Sequence, residues 1–204
     1  MIHQSKSSFQ GILKPDISQA AFEDYREELK RLLKKQSVFL GDFVLASGQK
    51  SNYYLDTRLT TLSAEGIAVI SHLIWSIIQP ILNEIDGIAG PSSGADPIVS
   101  GVSQLSYFAG HPLKAGYVRK ESKGYGRARL VEGPIESGNS ILALEDVITT
   151  GTSSLRAVQA LRSHGCKVDH LICLVLREDS GAELLEQEGK LKVHSIFKAS
   201  ELID

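Results

Sequence analysis

Apolar positions in this chain change their spacing twice. Between residues 18 and 33 they recur at helical intervals, with Phe22, Tyr25, Leu29, Leu32 and Leu33 on one face and charged residues opposite. Ser18 stands where the cap of such a helix belongs. Val38 to Leu45 and Tyr53 to Thr57 then read as strands on either side of the turn Ala46-Ser-Gly-Gln-Lys50, a small antiparallel lid. From Ser63 onward short apolar runs alternate with helical stretches. Helices are expected near Ala64–Gln79, Asp96–Ala109, Ser153–Ser163 (ending at Gly165) and Ala182–Gln187. Strands are expected at Gly87–Gly90, Ala115–Val118, Ser140–Leu144, His170–Leu176 and Val193–Phe197. Such alternation implies right-handed crossovers and a parallel sheet covered on both faces, an α/β architecture. Ligands of these sheets bind outside the carboxyl ends of the strands.

The pattern divides the chain into a polar, mobile segment 1–17, a helix and hood over 18–62, and a core over 63–204. Composition adds little beyond exclusions. At 204 residues and 42% apolar, the chain can fill one core. A net charge of -2 argues against nucleic-acid binding driven by overall positive charge. Cys166 and Cys173 lie in or beside apolar runs and read as packed thiols in a reducing compartment. The apolar stretch Leu73–Leu82 is too short to span a bilayer and contains Pro80, and residues 1–14 lack a signal-like apolar run. A soluble cytoplasmic protein without membrane contact is expected.

Chemistry concentrates in Ile141–Ser154, which reads Ile-Leu-Ala-Leu-Glu-Asp-Val-Ile-Thr-Thr-Gly-Thr-Ser-Ser. An apolar strand delivers Glu145 and Asp146 to its expected end, where a turning chain could aim both at one ligand. Carboxylates accept hydrogen bonds from a vicinal diol and also suit magnesium. Thr149, Thr150, Gly151, Thr152 and Ser153 follow, offering hydroxyls and backbone N–H groups before a helix whose dipole favours an anion. Thr152 or Ser153 could instead simply cap that helix. Taken together, the two features suit a ligand with ribose hydroxyls and a phosphate.

A second stretch, Arg119 to Arg129, sets five cations and one acid among glycines directly after a strand. It could close over an anion, supplying charge and excluding water. Competing nucleotide motifs fail. Gly133-Pro-Ile-Glu-Ser-Gly138-Asn139-Ser140 lacks the lysine of a phosphate loop, and Gly124-Tyr-Gly126 has no third glycine. The six histidines form no metal-ligand spacing.

Glu145 to Ser153 resembles the phosphoribosyl pyrophosphate (PRPP) signature of type I phosphoribosyltransferases. Phe43 to Arg58 and Arg119 to Gly126 are similar to the orotate phosphoribosyltransferase branch, and Gly90 to Pro97 to the family's pyrophosphate-side loop. The resemblance implies the type I phosphoribosyltransferase fold: a parallel-sheet, Rossmann-like core with helices on both faces and a small N-terminal hood. It implies transfer of the phosphoribosyl group from PRPP to orotate, giving orotidine 5′-monophosphate and pyrophosphate for UMP synthesis. Lys123, Asp146 and Glu145 would be the catalytic group. PRPP would be held by Arg119, Lys120, Lys123 and the run Glu145, Asp146, Val147, Ile148, Thr149, Thr150, Gly151, Thr152 and Ser153. Lys50, Tyr53, Tyr54, Thr150 and Arg177 would line the orotate side. Magnesium would arrive on PRPP, near Glu145 and Asp146, with no direct protein ligand. A homodimer is implied, the loop Arg119–Arg129 reaching the neighbouring active site.

The chain departs from the family at Tyr125, where many members have a histidine, and at Ala46 and Gly94, where some have lysine. A phenol titrating near ~10 cannot supply an imidazolium charge. Two other functions therefore stand beside the first: a type I enzyme for another base, or a PRPP-sensing protein without catalysis.

Overall fold

The computed structural model describes residues 17–44, 48, 50–121 and 130–203. Ser18 opens helix α1 (Gln19–Gln36), its hydroxyl accepting the Ala21 N–H at 3.2 Å, and Leu29, Leu32 and Leu33 are buried as their spacing predicts. Strands β1 (Val38–Val44) and β2 (Lys50–Leu55) form the antiparallel hood. A single helical turn, α2 (Arg58–Thr61), was not foreseen. Helix α3 (Ala64–Ile78) is capped by Ser63 and continues into a 3-10 turn, Gln79–Glu84.

The remaining elements are β3 (Gly87–Pro91), α4 (Asp96–Phe108), β4 (Lys114–Val118), β5 (Val131–Glu132) and β6 (Ile141–Ile148). They are followed by α5 (Thr152–Ser163), β7 (His170–Leu176), α6 (Asp179–Gln187), β8 (Lys192–Lys198) and α7 (Ser200–Ile203). Six strands lie in the order β5-β4-β3-β6-β7-β8, parallel except for β5. The chain runs outward from β3 to β4, then crosses back to place β6 on the other side of β3. That reversal opens a crevice between the β3 and β6 carboxyl ends, where such sheets bind ligands.

Two apolar layers hold the sheet. Leu29 and Leu33 of α1, Ile70, Leu73 and Ile74 of α3, and Ile98 and Val102 of α4 pack on Leu142, Leu144 and Leu174. Val158 and Leu161 of α5 and Leu185 of α6 pack on Ala143, Leu171 and Cys173 from the opposite face. Each fully buried leucine of this kind contributes about 1.5–3 kcal/mol. The apolar segment around α3, Ala64–Glu84, is longer than the run read from sequence, at 21 residues, and by length and composition could cross a bilayer. Here it is a core helix, with Ile70, Leu73, Ile74, Trp75 and Ile78 buried.

One boundary matters for function. The apolar run stops at Leu144, but β6 continues to Ile148 because its backbone goes on pairing with β7, Val147 opposite Val175 and Ile148 opposite Leu176. Glu145 and Asp146 therefore lie inside a strand, not at its end.

Candidate active site

The two acids stay within reach of one another, the Asp146 side chain and main-chain N–H both acting on the Glu145 carboxyl, but their other partners differ. Glu145 turns toward α5, where Ser154 donates a 2.7 Å hydrogen bond to its Oε2, and it is only 5% exposed. Burial, with the Asp146 charge beside it, raises the Glu145 carboxyl well above the usual range. Cys173, its neighbour across β6 and β7, is pushed up to about 12 by burial; both cysteines are free and packed. Asp146 has other partners. Its Oδ1 accepts the Val147 N–H at 2.9 Å, and its Oδ2 accepts the Thr57 hydroxyl at 2.7 Å. The strand's length sets the pair inside β6 rather than at its end, and Asp146 lies against the Ser92–Ala95 loop. Gly94 lies so close to its carboxylate that a side chain there would have to displace it.

Val147 and Ile148 complete β6, Val147 packing on the α3–α4 layer and Ile148 on the α5 layer. Beyond them Thr149 and Thr150 turn into Gly151, which adopts φ 76° and heads α5. A glycine is required: φ is left-handed, and a Cβ would meet the carbonyl oxygen of Gly181 in α6. Gly181 returns the constraint, its own α-carbon lying against the Thr149 carbonyl. Neither Thr152 nor Ser153 caps α5; both sit inside its first turn, and the residue at the cap position, Gly151, has no side chain to offer. Thr150 and Thr152 hydroxyls lie 3.2 Å apart. The result is an uncapped helix terminus edged with hydroxyls, an arrangement suited to a phosphate.

These residues open into a cleft of about 890 Å³, lined among others by Thr150, Thr152, Ser153, Arg119, Lys120 and Arg156. Arg119 spends part of its charge on Glu132, Nε to Oε1 at 2.7 Å. Lys123 and the rest of the loop to Arg129 lie outside the described residues. Arg156 was overlooked in the sequence. Its position three and four residues after Ser153 and Thr152, on the same helical face, was the signal that could have found it.

On the hood side, Tyr53 and Arg177 meet. The Arg177 guanidinium carbon lies 4.7 Å from the Tyr53 ring centroid, and Nη2 is 3.2 Å from the Ser51 hydroxyl. Lys50 and Tyr54 share the opposite side of β2, where Tyr54 stacks near Phe43 and Phe39 at 5.7 and 6.5 Å. Alternation along β2 separates them from Arg177 in this structure. Thr57 is the other residue the sequence did not single out.

The chain as a whole resembles known proteins. Residues 59–199 match the family described as phosphoribosyl transferase domain. The orotate phosphoribosyltransferase of Aquifex aeolicus is 39% identical over 181 residues, covering 87% of this chain and 97% of that protein. That of Thermosynechococcus vestitus is 41% identical over 180 residues, 88% of this chain and 93% of the relative. Among solved structures, Mycobacterium tuberculosis orotate phosphoribosyltransferase bound to Fe(III) dicitrate superposes with a TM-score of 0.78 at 33% identity, over 88% of this chain and 99% of the other. The same enzyme in complex with PRPP gives 0.73 at 31% identity, over 87% and 98%.

Proposed function

The chain belongs to the phosphoribosyl transferase family and, within it, to the orotate phosphoribosyltransferases, and from that premise we propose how its residues share the reaction. It transfers the phosphoribosyl group of PRPP to orotate, giving orotidine 5′-monophosphate and pyrophosphate in pyrimidine synthesis. The observation that carries the assignment of roles is the uncapped, hydroxyl-edged N-terminus of α5, which opens on a cleft with Arg119 and Arg156 directly after the strand that carries Asp146.

Thr149, Thr150, Gly151, Thr152 and Ser153 take the 5′-phosphate on the N-terminus of α5, with Arg156 adding charge along the same helix face. Asp146 accepts hydrogen bonds from the ribose hydroxyls. Glu145, its ionised form disfavoured by burial, serves that grip from behind, pinning α5 through Ser154. Orotate carries a carboxylate, and Arg177, steadied by Ser51 and Tyr53, is the cation that meets it, with Thr150 near the base. Lys50 and Tyr54 join only when the hairpin turns their side of β2 toward the site.

The bond from C1′ to pyrophosphate breaks as a ring nitrogen of orotate approaches from the opposite face. The sugar then resembles an oxocarbenium ion. Its alignment is the work of the cradle and Asp146; Arg119, Lys120 and Lys123 meet the charge gathering on the leaving group. Among the described residues no cluster of three His, Cys, Asp or Glu side chains is built to cage a metal. Asp146 fits a magnesium ion that arrives already coordinated by the diphosphate, whose charge that ion would help neutralise. The active form is a cytoplasmic homodimer, loop Arg119–Arg129 completing the partner's site; Tyr107 and Tyr117 offer exposed rings for subunit contact.

One assay tests the reading: PRPP, magnesium and a panel of bases, followed by pyrophosphate release. Turnover with orotate is expected. Turnover only with a purine, or saturable PRPP binding with no release, overturns it.

A further inference from the structure

Three separate stretches of chain close on the Asp146 carboxylate. Val147 donates its N–H to Oδ1, the backbone of Gly94 presses against the same group, and Thr57 donates its hydroxyl to Oδ2 at 2.7 Å. Thr57 is the one that comes from the hood. It stands at the junction of β2 and α2 and is 2% exposed. At the position that normally caps a helix, its side chain makes no cap bond to α2. The hydroxyl is spent on Asp146 instead.

The junction is braced on both sides of this threonine. Asp56 donates its N–H to the Ser37 carbonyl at 2.9 Å. Its carboxylate holds the Arg58 guanidinium by two bonds, 2.8 and 2.9 Å. Six residues earlier on the same strand, Ser51 contacts Arg177 on the base side. A single short segment, residues 51 to 57, therefore touches both the acid assigned to the sugar and the cation assigned to the base.

We propose that Thr57 is a positioning residue for phosphoribosyl transfer, fixing the Asp146 carboxylate for the ribose diol and tying it to the base-binding hood. The inference rests on the functional reading above. A carboxylate offers about four lone-pair sites. Val147 and Thr57 take one on each oxygen, and those two bonds set the directions in which the remaining acceptors face a pair of vicinal hydroxyls. Without the Thr57 donor the carboxylate can rotate, and the remaining acceptors no longer point along fixed directions. A neutral hydroxyl does this without cancelling the charge that draws the sugar or a cation travelling with the diphosphate.

The test is steady-state kinetics with PRPP, magnesium and orotate on the full chain and four variants: Thr57→Val, Thr57→Ser, Asp146→Asn and the Val/Asn double. Thr57→Val, close in shape but without a donor, is expected to raise the KM for PRPP about 10-fold with kcat changed less than ~3-fold. Thr57→Ser should return KM to within about 2-fold of the parent, since it keeps the hydroxyl. In the Asp146→Asn background, Thr57→Val should add less than ~2-fold, because the charged acceptor that Thr57 orients is already gone. Parent-like kinetics for Thr57→Val overturn the proposal, as does a Ser variant as poor as Val or a full independent loss in the double. Should Thr57→Val not fold, Thr57→Cys, a weaker donor of similar size, is expected to fall between Ser and the parent's opposite extreme; Cys kinetics equal to the parent overturn the proposal. A parent enzyme inert toward orotate would instead sink the functional reading, before any variant is compared.

Discussion

Glu145 and Asp146 are consecutive residues with the same acidic group, and the fold treats them as opposites. Glu145 is sealed against α5, bonded to Ser154 and driven toward its neutral form. Asp146 lies on the crevice side, bonded to a main-chain N–H and a hydroxyl, with no cation paired to it among the described residues. Their partners make the difference: Ser154 of α5 for Glu145, and the Thr57 hydroxyl with the Val147 N–H for Asp146. On the reading proposed above, Glu145 builds the site and Asp146 uses it.

Charge brought from outside the sheet gives the largest expected effect and frames that contrast. Lys123→Ala should lower kcat by roughly 100- to 1000-fold while PRPP affinity stays near that of the parent. A variant that loses only affinity would remove Lys123 from the chemical step. Next comes Asp146→Asn, expected to reduce kcat/KM for PRPP by about 100-fold, or ~3 kcal/mol, with little change in melting temperature. If the melting temperature falls instead and the kinetics hold, the two acids have exchanged roles.

Glu145 should respond in the reverse manner. Glu145→Ala is expected to cost about 2–3 kcal/mol of folding stability by denaturant titration, through a cavity and an unpaired Ser154. Glu145→Gln, neutral at every pH, should fold well and retain most activity. The sign follows from the raised folded-state value. Glu145's contribution is complete below its ordinary value of 4.5 and is lost as pH rises toward its folded-state value. The parent should therefore lose stability relative to Glu145→Gln as the solution is made more alkaline. Parallel stability curves would show Glu145 to be ionised in the fold. Smallest of all, Ser154→Ala should cost about 1 kcal/mol and leave orotate turnover nearly intact; a large kinetic loss would make the Ser154 contact part of catalysis.

Much of this was legible in the residues, and for a physical reason. Periodicity located every long helix and every strand of five or more residues, because burial imposes spacing on sequence. Two-residue β5 and single-turn α2 escaped, since neither is long enough to show a period. The end of β6 was misjudged because polarity was taken to end the strand, whereas backbone pairing to β7 carries it four residues further. The threonine-rich bend announced itself by composition, and its uncapped helix terminus needed the structure. Thr57 was silent in the sequence: an ordinary hydroxyl, given meaning only by a carboxylate 89 positions away. Tyr53 and Tyr54 looked equivalent until β2 assigned them to different sides.

Gly151 and Gly181 sit back to back, each excluding a side chain from the other's carbonyl neighbourhood. A saturation survey of this enzyme would therefore record position 181 as intolerant as the phosphate bend itself, although no residue of α6 lines the cleft. Inhibitor-resistance variants should avoid that pair for the same reason. Any residue larger than glycine there would deform the grip on substrate along with the grip on the drug.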